Sequence, residues 1–545
     1  MPGVSRRTLV LLFLAFALFY FSALGTMPLL EPDEGRYAEI PREMLATGDF
    51  VTPHLNGVVY LEKPPLFYWG NAFSMAVFGE NEFAARFFTA AVSVAGILLT
   101  YWMGAELAGW RTGLFSSVVL STSLYYYAIG RLNTLDMTLA LALLLAVFPA
   151  YLYLSGRRES RRYLHFSYAA AGFAFLAKGL VGVFFPAAIL LCWLVFSRRH
   201  REILRAVSLP GILLFLAIAL PWVVLVQREN PDFLWFFFVH EQFLRYTTKI
   251  HRRVEPFWFF LPVVIGGFVP WIAFLRRVVL AARGAGAKFL PREEMTFLLS
   301  WILFIFLFFS FSGSKLPTYV TPIFPPLAVL FGRGLDMWAE REDGAVRCRS
   351  PLALAALIAA AILWLPQLSR HPVDASAWTR AASLPVILIL LWGSIPLFLR
   401  RLGAERVVLL SFLVLALFLT SLNRPAGAYI GSYKSAKGLA EAISASIRPG
   451  DVVAQYGVYR QGVPFYTKRR CVLVEEVGEL EFGATRAKDR ADYFPGSADF
   501  QRLWESGTRV FCVFNRHAMP LIREKFPSHR LLYRSDAGIL IVNHP

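Results

Sequence analysis

Long apolar runs dominate the sequence and constrain its fold more than any other feature. The 545-residue chain is 57% hydrophobic and only 17% charged, whereas soluble domains are about 45–50% apolar and about 25% charged. A helix that crosses a bilayer needs about 20 mostly apolar residues. The composition therefore excludes a single soluble domain and a disordered or fibrous chain. It predicts a polytopic α-helical membrane protein.

Thirteen segments are apolar and long enough to be candidate spans. The first resembles a secretory signal peptide, but its apolar stretch is long for one and acidic residues follow it, so we interpret it as a retained span. The candidate segments are 8–30, 87–105, 112–130, 137–155, 163–178, 179–197, 206–226, 257–275, 295–312, 318–332, 351–367, 384–399 and 407–422.

The run 64–79 decides which loops share a side of the membrane, because it is apolar but short and starts with Pro64 and Pro65. If this run lies in the interface, the loops richest in Lys and Arg are on the side of the N-terminus. The positive-inside rule then predicts a cytoplasmic N-terminus and an outer tail. The net charge of +18 is in this interpretation mostly a topology signal, and we expect no nucleic-acid partner.

The tail 423–545 differs in pattern from the rest of the chain. Short apolar runs alternate with helix-like stretches, which is typical of a small α/β domain. We therefore divide the chain into a transmembrane catalytic domain, 1–422, with its first outer loop at 31–86, and a tail domain, 423–545. Cys471 and Cys512 both lie in the tail, and the sequence leaves open whether they form a disulfide.

Two charged clusters lie in the first outer loop. Glu31, Asp33 and Glu34 occur within four residues, where they would repel one another unless cations such as Arg36 balance them. A Glu62-Lys63 pair then precedes two prolines, which restrict the backbone. The alternatives are an ordinary interfacial flank for the first cluster and a surface ion pair for the second.

Isolated ionisable residues lie at the outer ends of later spans. Asp136, Lys178 and Lys315 are candidates for function because charges near a bilayer are costly, and the alternative is snorkelling to the interface. The loop 227–256 adds His240 and Arg245. A single histidine such as His240 is more often structural than a metal ligand.

These residue types suggest a transfer reaction. A carboxylate can accept a proton from an attacking hydroxyl, while lysine and arginine can bind an anionic leaving group. The bilayer itself offers lipid phosphates, so the pattern indicates group transfer from a lipid phosphate at the outer surface. A transporter or flippase is the alternative from another class, but the polar groups cluster at one surface and no internal repeat is visible.

The motifs resemble those of a known enzyme superfamily. Asp33-Glu34-Gly35-Arg36-Tyr37, Tyr60-Leu61-Glu62-Lys63-Pro64-Pro65 and Ser314-Lys315-Leu316-Pro317-Thr318-Tyr319 are similar to motifs of GT-C glycosyltransferases, the relatives of protein O-mannosyltransferases. The nearest characterised type transfers 4-amino-4-deoxy-L-arabinose to lipid A. The resemblance implies a GT-C fold with about thirteen transmembrane helices, interfacial helices in the first periplasmic loop, a periplasmic catalytic cavity and a C-terminal α/β domain.

The resemblance also implies roles for individual residues. Asp33 matches the catalytic carboxylate, and Glu62 and His240 match ligands of a divalent metal, often zinc. The residues that match positions around the donor phosphate are Lys63, Lys178, Arg245 and Tyr319. Those that match the cavity lining and its supporting ion pairs are Tyr37, Tyr60, Arg36 and Asp136. Lys315, which lies in one of the matching motifs, is a further candidate for substrate binding.

The function expected from this resemblance is that of a monomeric glycosyltransferase in the bacterial inner membrane. It would transfer aminoarabinose from undecaprenyl phosphate to a lipid A phosphate on the periplasmic side, with inversion, as in polymyxin resistance. The alternative within the same fold is another polyprenyl-linked sugar, or a hydroxyl acceptor on a protein, glycan or lipid. A phosphate acceptor is already ionised, so Asp33 would orient it, whereas a hydroxyl would give Asp33 its proton.

Overall fold

The computed structural model describes residues 6–244, 255–285, 288–341, 349–371, 373–398 and 403–544. The chain forms two compact units. The first unit comprises Met1–Ser22, Thr89–Leu368 and Asp374–Leu422, and the second comprises Ala23–Phe88, Ser369–Val373 and Asn423–Pro545.

In the described residues of the first unit, the regular secondary structure is helical. Some of its helices continue into the second unit. The α-helices are Arg6–Phe21, Glu82–Ala108, Trp110–Thr122, Leu124–Ile129, Asp136–Leu154, Arg162–Lys178, Leu180–Phe196, Glu202–Ala206, Leu209–Glu229, Phe260–Gly267, Leu275–Ala285, Arg292–Phe311, Phe324–Arg341, Ser350–Leu368, Ala375–Phe398 and Ala404–Lys434. A π-helix forms over Trp235–Leu244, and 3₁₀ helices form over Trp271–Phe274 and Pro317–Ile323.

Seven helices in the described ranges are long and apolar enough to cross a membrane. They are Glu82–Ala108, Asp136–Leu154, Leu209–Glu229, Arg292–Phe311, Ser350–Leu368, Ala375–Phe398 and Glu405–Lys434. A further pair, Phe260–Gly267 and Trp271–Ala285, would add an eighth span but is bent by 85°. Seven of the thirteen predicted segments fall on the long helices, and six fall on helices that are shorter, bent or less apolar. The chain is therefore a multi-pass membrane protein.

Aromatic side chains fill the interior of the first unit. Trp193, Trp271 and Trp301 are fully buried, and the rings of Tyr151 and Phe297 stack with their centroids 3.9 Å apart. Such packing matters in a membrane, where helices gain little from hydrophobic burial and associate through close contact.

A five-stranded mixed sheet forms the centre of the second unit. The strands of this unit are β1 (His54–Leu55), β2 (Val58–Val59), β3 (Val452–Tyr456), β4 (Val472–Val474), β5 (Val510–Phe514), β6 (Arg530–Ser535) and β7 (Gly538–Val542). In the sheet the order is β4-β3-β5-β7-β6. Strands β4, β3 and β5 are parallel, whereas β7 runs antiparallel to both β5 and β6. With the helices that accompany it, the tail has an α/β composition.

Helices of the second unit come from both the first loop and the tail. They are Asp33–Thr47, Leu66–Phe78, Lys437–Ser444, Gly462–Thr467, the 3₁₀ turn Gly478–Leu480, Glu481–Ala484, Arg490–Tyr493, Ser497–Glu505 and Met519–Lys525. The helix Leu66–Phe78 covers most of the ambiguous run 64–79. Its 13 residues rise only about 20 Å, less than the bilayer core of about 30 Å.

The first loop and the tail belong to one compact unit, although the sequence suggested a division at residue 422. An Asn56-Gly57 turn joins β1 to β2, and the Asn56 side chain bonds the backbone of Cys471 through both its nitrogen and its oxygen, at 2.9 and 2.8 Å. Cys471 and Cys512 are both buried free thiols, so the pairing that the sequence left open does not occur.

Candidate active site

The helix Asp33–Thr47 carries most of the charges of the first outer loop. Asp33 and Glu34 lie in its first turn, where acidic groups interact favourably with the helix dipole. The helix ends at Gly48, whose φ of 75° suits the left-handed position after a helix. The helix therefore presents a row of carboxylates in a defined order, and the surrounding chain supplies a partner for each.

Arg36 connects Asp33 to the tail. Its guanidinium forms ion pairs with Asp33 and Glu479 and donates to the Tyr60 hydroxyl at 3.3 Å. It also lies 4.9 Å from the centre of the Tyr37 ring. The Arg36 side chain is only 9% exposed, whereas that of Asp33 is 54% exposed. Asp33 is thus fixed by a buried cation while keeping an open side, which is the geometry needed to orient or deprotonate an incoming group.

Glu34 forms a fully buried pair with Arg86. The two side chains bond at 2.7 and 2.8 Å, and Arg86 also donates to the carbonyls of Leu24 and Pro28 at 3.2 and 2.9 Å. Because removing either partner would leave a buried charge, this pair anchors the chain that leads into the helix. It supports Asp33 without being open to a substrate.

Burial changes the protonation of two acids, Glu31 just before this helix and Glu43 within it. Desolvation raises the pKa of Glu31 to about 7, against the hydrogen bond from the Gly462 N–H. Desolvation and the neighbouring Glu39 raise the pKa of Glu43 to about 8. The Glu31 carboxylate accepts the backbone N–H groups of Gln461 and Gly462 at 3.0 and 2.6 Å. Both acids are therefore partly protonated near neutral pH.

Glu62 and Lys63 follow β2 and lie directly before the two prolines. The Lys63 ammonium donates to the Glu62 carbonyl at 2.9 Å and lies 3.7 Å from the Glu62 carboxylate. The two side chains are 11% and 13% exposed. The structure thus places both residues, with Asp33, Arg36, Tyr37 and Tyr60, in the second unit.

A second set of predicted residues meets in the first unit. Asp136 begins the helix Asp136–Leu154, and Lys178 ends the helix Arg162–Lys178. Their side chains form an ion pair, and the Lys178 ammonium lies 4.9 Å from the centre of the Tyr319 ring. The three residues form one compact cluster in which a cation and a phenol lie side by side.

Lys315 and His240 have other surroundings. The Lys315 ammonium donates to the carbonyls of Ser312 and Glu255 at 2.8 and 3.0 Å, so it connects its own loop to the segment that contains Glu255. The His240 ring lies 3.1 Å from the Glu241 carboxylate and stacks on Phe236. Arg245 lies outside the described residues.

A metal would need a fuller ligand set than the two predicted residues. A zinc ion bound by protein groups has three or four ligands. Across the ranges that the structure describes, no group of three or more His, Cys, Asp or Glu side chains is arranged to hold a metal ion. The described residues therefore do not make up a metal site by themselves.

Two members of the site were not identified from the sequence. Glu479 lies in the 3₁₀ turn after β4 in the tail, and an acidic residue there gives no local signal of its distant partner Arg36. Arg86 had a detectable signal, because it is a lone cation near the start of the apolar helix Glu82–Ala108 and such residues usually have a buried partner.

Comparison with known proteins identifies similar chains over both parts of the sequence. The family model described as dolichyl-phosphate-mannose-protein mannosyltransferase matches residues 62–225. A second model, described as the aminoarabinose transferase C-terminal domain, matches residues 439–543.

Two curated relatives carry the name undecaprenyl phosphate-α-4-amino-4-deoxy-L-arabinose arabinosyl transferase. The one from Aeromonas hydrophila is 35% identical over 61% of this chain and 61% of its own length. The one from Sodalis glossinidius, numbered 2, is 34% identical over 72% of this chain and 71% of its own length. The chain thus matches less than two thirds of the first relative's length.

A solved structure matches almost the whole chain. The crystal structure of ArnT from Cupriavidus metallidurans bound to undecaprenyl phosphate has a TM-score of 0.83 and 29% identity. The match covers 99% of both chains. The match therefore includes both compact units.

Proposed function

The chain belongs to the undecaprenyl phosphate-α-4-amino-4-deoxy-L-arabinose arabinosyl transferase family of GT-C glycosyltransferases, and from this premise we propose its reaction. It transfers 4-amino-4-deoxy-L-arabinose from undecaprenyl phosphate to a phosphate of lipid A. The acceptor oxygen attacks the anomeric carbon, the bond from that carbon to the donor phosphate oxygen breaks, and undecaprenyl phosphate leaves. The configuration inverts because attack and departure occur on opposite faces.

The arrangement of Asp33 is the observation that carries this proposal. Its carboxylate is held by the buried Arg36 guanidinium and keeps more than half of its side chain exposed. A lipid A phosphate is ionised near neutral pH, so Asp33 has to orient the acceptor or the sugar rather than remove a proton. Arg36, Tyr37 and Tyr60 keep the carboxylate in one position.

The donor phosphate is assigned to the cations and phenols of the site. We propose that Lys63, Lys178, Arg245 and Tyr319 bind it, with Asp136 orienting Lys178. The pairing of Lys178 with Asp136 and its contact with the Tyr319 ring support this assignment. A relative has been crystallised with undecaprenyl phosphate, which supports this class of donor. Lys315 is proposed as a residue that shapes this part of the site, because its ammonium is bound to backbone carbonyls.

The test of the reaction uses the purified full-length chain in proteoliposomes with the aminoarabinose donor and lipid A. Mass spectrometry should detect lipid A with the added sugar. Asp33→Asn should lower the single-turnover rate by about 10²-fold, the cost of misplacing a reacting group, while undecaprenyl phosphate still binds. Full transfer by this variant would reject the catalytic assignment. Unmodified lipid A with the wild-type chain would reject the acceptor.

A hydroxyl acceptor on a protein, glycan or lipid is the second candidate. The match of residues 62–225 to a protein mannosyltransferase model supports it. In that case Asp33 would accept the hydroxyl proton, so the D33N defect would be larger with hydroxyl than with phosphate acceptors. Competition between lipid A and a hydroxyl-bearing acceptor lipid in the same vesicles separates the two candidates.

The membrane topology is also a proposal. We propose thirteen spans in the bacterial inner membrane, a cytoplasmic N-terminus, a periplasmic tail and a monomer. The short helix Leu66–Phe78 supports this arrangement. A segment too short to cross the membrane adds no crossing, so the loops rich in Lys and Arg stay on the side of the N-terminus, as the positive-inside rule requires. Labelling of single cysteines introduced at exposed Arg158 and Arg530 tests it. Only the second should react with an impermeant reagent added to spheroplasts.

A divalent metal remains a proposal as well. We propose that Glu62 and His240 contribute to binding zinc, with water or substrate completing the coordination. The readout is the metal content of the purified protein, compared with that of Glu62→Gln and His240→Ala. Equal content in all three proteins would reject these ligands.

A further inference from the structure

The loop after β3 lies where a parallel sheet usually binds ligands. From β3 the chain forms β4 on one side of it and then β5 on the other, so the strand order reverses beside β3. Ligands of open α/β sheets bind outside the carboxyl ends of strands at such a reversal. The residues there are Gly457 to Gln461, beginning with a glycine at a φ of 61°.

Three consecutive residues of this loop have buried polar atoms without a hydrogen-bond partner among the described residues. They are the Tyr459 hydroxyl, Arg460 Nε and the Gln461 side-chain oxygen, and Arg36 Nε is in the same state. A buried polar group without a partner costs about 1–3 kcal/mol. Consecutive residues that share this state are readily explained if a polar ligand completes their bonds.

Arg460 is the charged member of this group. Across the described part of the chain, its guanidinium takes part in no ion pair, whereas Arg36, Arg42 and Arg86 each have a carboxylate partner. A partly buried guanidinium whose Nε has no hydrogen-bond partner among the described residues is suited to bind a phosphate.

Arg460 also lies close to the network that holds Asp33. The next residue, Gln461, donates from its side chain to Glu479 at 3.0 Å, and Glu479 pairs with Arg36. The Gln461 backbone N–H bonds Glu31. Arg460 and Arg36 both lie near enough to Glu31 to lower the pKa of its carboxyl, against the larger effect of burial. The two arginines therefore both act electrostatically on the same carboxyl group.

We propose that Arg460 binds the phosphate group of the lipid acceptor and so determines acceptor specificity. This inference rests on the proposed function, because it assigns the acceptor phosphate to a residue of the tail. Because Asp33 orients the attacking group of the acceptor, the acceptor phosphate lies close to Asp33. An anion-binding residue near the Asp33 network can therefore bind that phosphate. The proposed donor-phosphate residues are Lys63, Lys178, Arg245 and Tyr319. Tyr459 and Gln461 complete the hydrogen bonds of the acceptor headgroup.

The test measures transfer kinetics of the full-length chain in nanodiscs with separately varied donor and lipid A. Arg460→Gln should raise KM for lipid A by about tenfold or more, which corresponds to the loss of a charge-assisted hydrogen bond. The KM for the donor and the kcat should stay within about twofold. Arg460→Lys should recover part of the affinity because it keeps the charge. The control is Arg530→Gln, which removes a charge from an exposed position of β6 and should change none of these values.

Several outcomes would overturn the inference. An unchanged KM for lipid A in the Arg460→Gln protein would do so, as would a loss confined to kcat. A rise only in the donor KM would move Arg460 to the donor phosphate. Thermal midpoints and binding of undecaprenyl phosphate establish that the variants are folded.

A binding measurement separates this inference from the proposed reaction. If the wild-type chain transfers no sugar to lipid A, the proposed function fails. Binding of lipid A and of its dephosphorylated form to the wild-type and Arg460→Gln proteins then decides the inference. Wild-type preference for the phosphorylated lipid, lost in the variant, supports it. Equal binding in all four combinations rejects it.

Discussion

Acidic side chains in this protein take different states according to their partners. Asp33 and Glu34 are neighbours on one helix. Asp33 forms an ion pair with Arg36 and is half exposed, whereas Glu34 forms an ion pair with Arg86 and is buried. Glu43 instead accepts the backbone N–H of Gly57 at 3.0 Å and has a raised pKa. A substrate can reach the first of these carboxylates, while the other two maintain the structure around it.

Replacing Glu43 with glutamine should alter how stability depends on pH. The pKa of Glu43 is about 8 in the folded protein against an ordinary value of 4.5, so the folded state binds the proton more tightly. Stability is then lost as pH rises from about 4.5 through about 8. Glu43→Gln keeps an acceptor for Gly57 without the charge. We expect a Tm higher by at least about 3 °C at pH 9 and little difference at pH 4.5.

Thermal unfolding in detergent between pH 4.5 and pH 9 checks this expectation. Glu441→Gln, at an exposed position of the helix Lys437–Ser444, is the matched control and should follow the wild type. A Glu43→Gln protein that loses stability at high pH as the wild type does would contradict the prediction.

The pair Asp136–Lys178 should show strong coupling. Both side chains are largely buried, and removing one partner of a buried pair costs about 3–5 kcal/mol. Asp136→Asn and Lys178→Met should therefore each destabilise the protein, and the loss of stability in the double variant should be smaller than the sum of the two single losses. A double-mutant cycle on the midpoint of unfolding measures this. Additive effects of the two substitutions would show that the pair is not coupled.

Short elements connect the first loop to the tail within the second unit. The β1–β2 hairpin has a two-residue turn, Asn56-Gly57, with φ values of 54° and 72°, and Asn-Gly is the preferred pair for such turns. The same asparagine bonds Cys471 of the tail at both ends of its amide. The backbone of Asn56 therefore forms the turn of the hairpin, and its side chain connects the hairpin to the tail.

Asn56→Ala should destabilise the second unit by about 3–4 kcal/mol. The change removes two buried hydrogen bonds of about 1 kcal/mol each and places alanine in a left-handed conformation that costs about 1–2 kcal/mol. Gly57→Ala should also destabilise it, because a Cβ there would lie 2.5 Å from the Arg470 side chain. The free energy of unfolding measures both effects. Val77→Ala, on an exposed apolar position of the helix Leu66–Phe78, is the control, and equal losses in all three variants would contradict the role of the turn.

At the scale of the whole molecule, the division into two units separates the predicted site residues. Asp33, Arg36 and Lys63 belong to the unit that contains the tail, whereas Asp136, Lys178 and Tyr319 belong to the helical unit. The tail is therefore part of the surroundings of Asp33. Through Glu479, Gln461 and Gly462 it holds residues of the first outer loop.

A chain that ends at Lys434 should lose the order of the first loop as well as the tail. Glu31, Arg36 and Asn56 would lose their partners at Gln461, Glu479 and Cys471, so the amides of residues 31–63 should exchange faster by about 10-fold or more. Hydrogen–deuterium exchange in detergent measures this, and the helix Asp136–Leu154 of the other unit is the internal control. Unchanged exchange in 31–63 would show that the loop is ordered without the tail.

The sequence by itself determined the class of the protein and much of its chemistry. A membrane helix must form all its backbone hydrogen bonds within the helix and needs about 20 apolar residues to cross the bilayer. The local composition of the sequence shows whether a segment meets this requirement. The motifs around Asp33, Glu62 and Lys178 were equally visible, because costly charges beside apolar runs are conspicuous. The Asn56-Gly57 turn follows a local rule too, although it became informative only with its partner known.

The tertiary structure decided which charges are partners and which chain segments form one unit. Glu479 and Arg36 are far apart in sequence, and their pairing depends on how the sheet places its loops. The same holds for Asn56 with Cys471. It also holds for Arg460, whose lack of an ion pair among the described residues can be recognised only when its neighbours are known. Long-range contacts depend on the summed packing of the chain, which no local pattern encodes, and so the open Asp33 was distinguished from the buried Glu34 only in the folded protein.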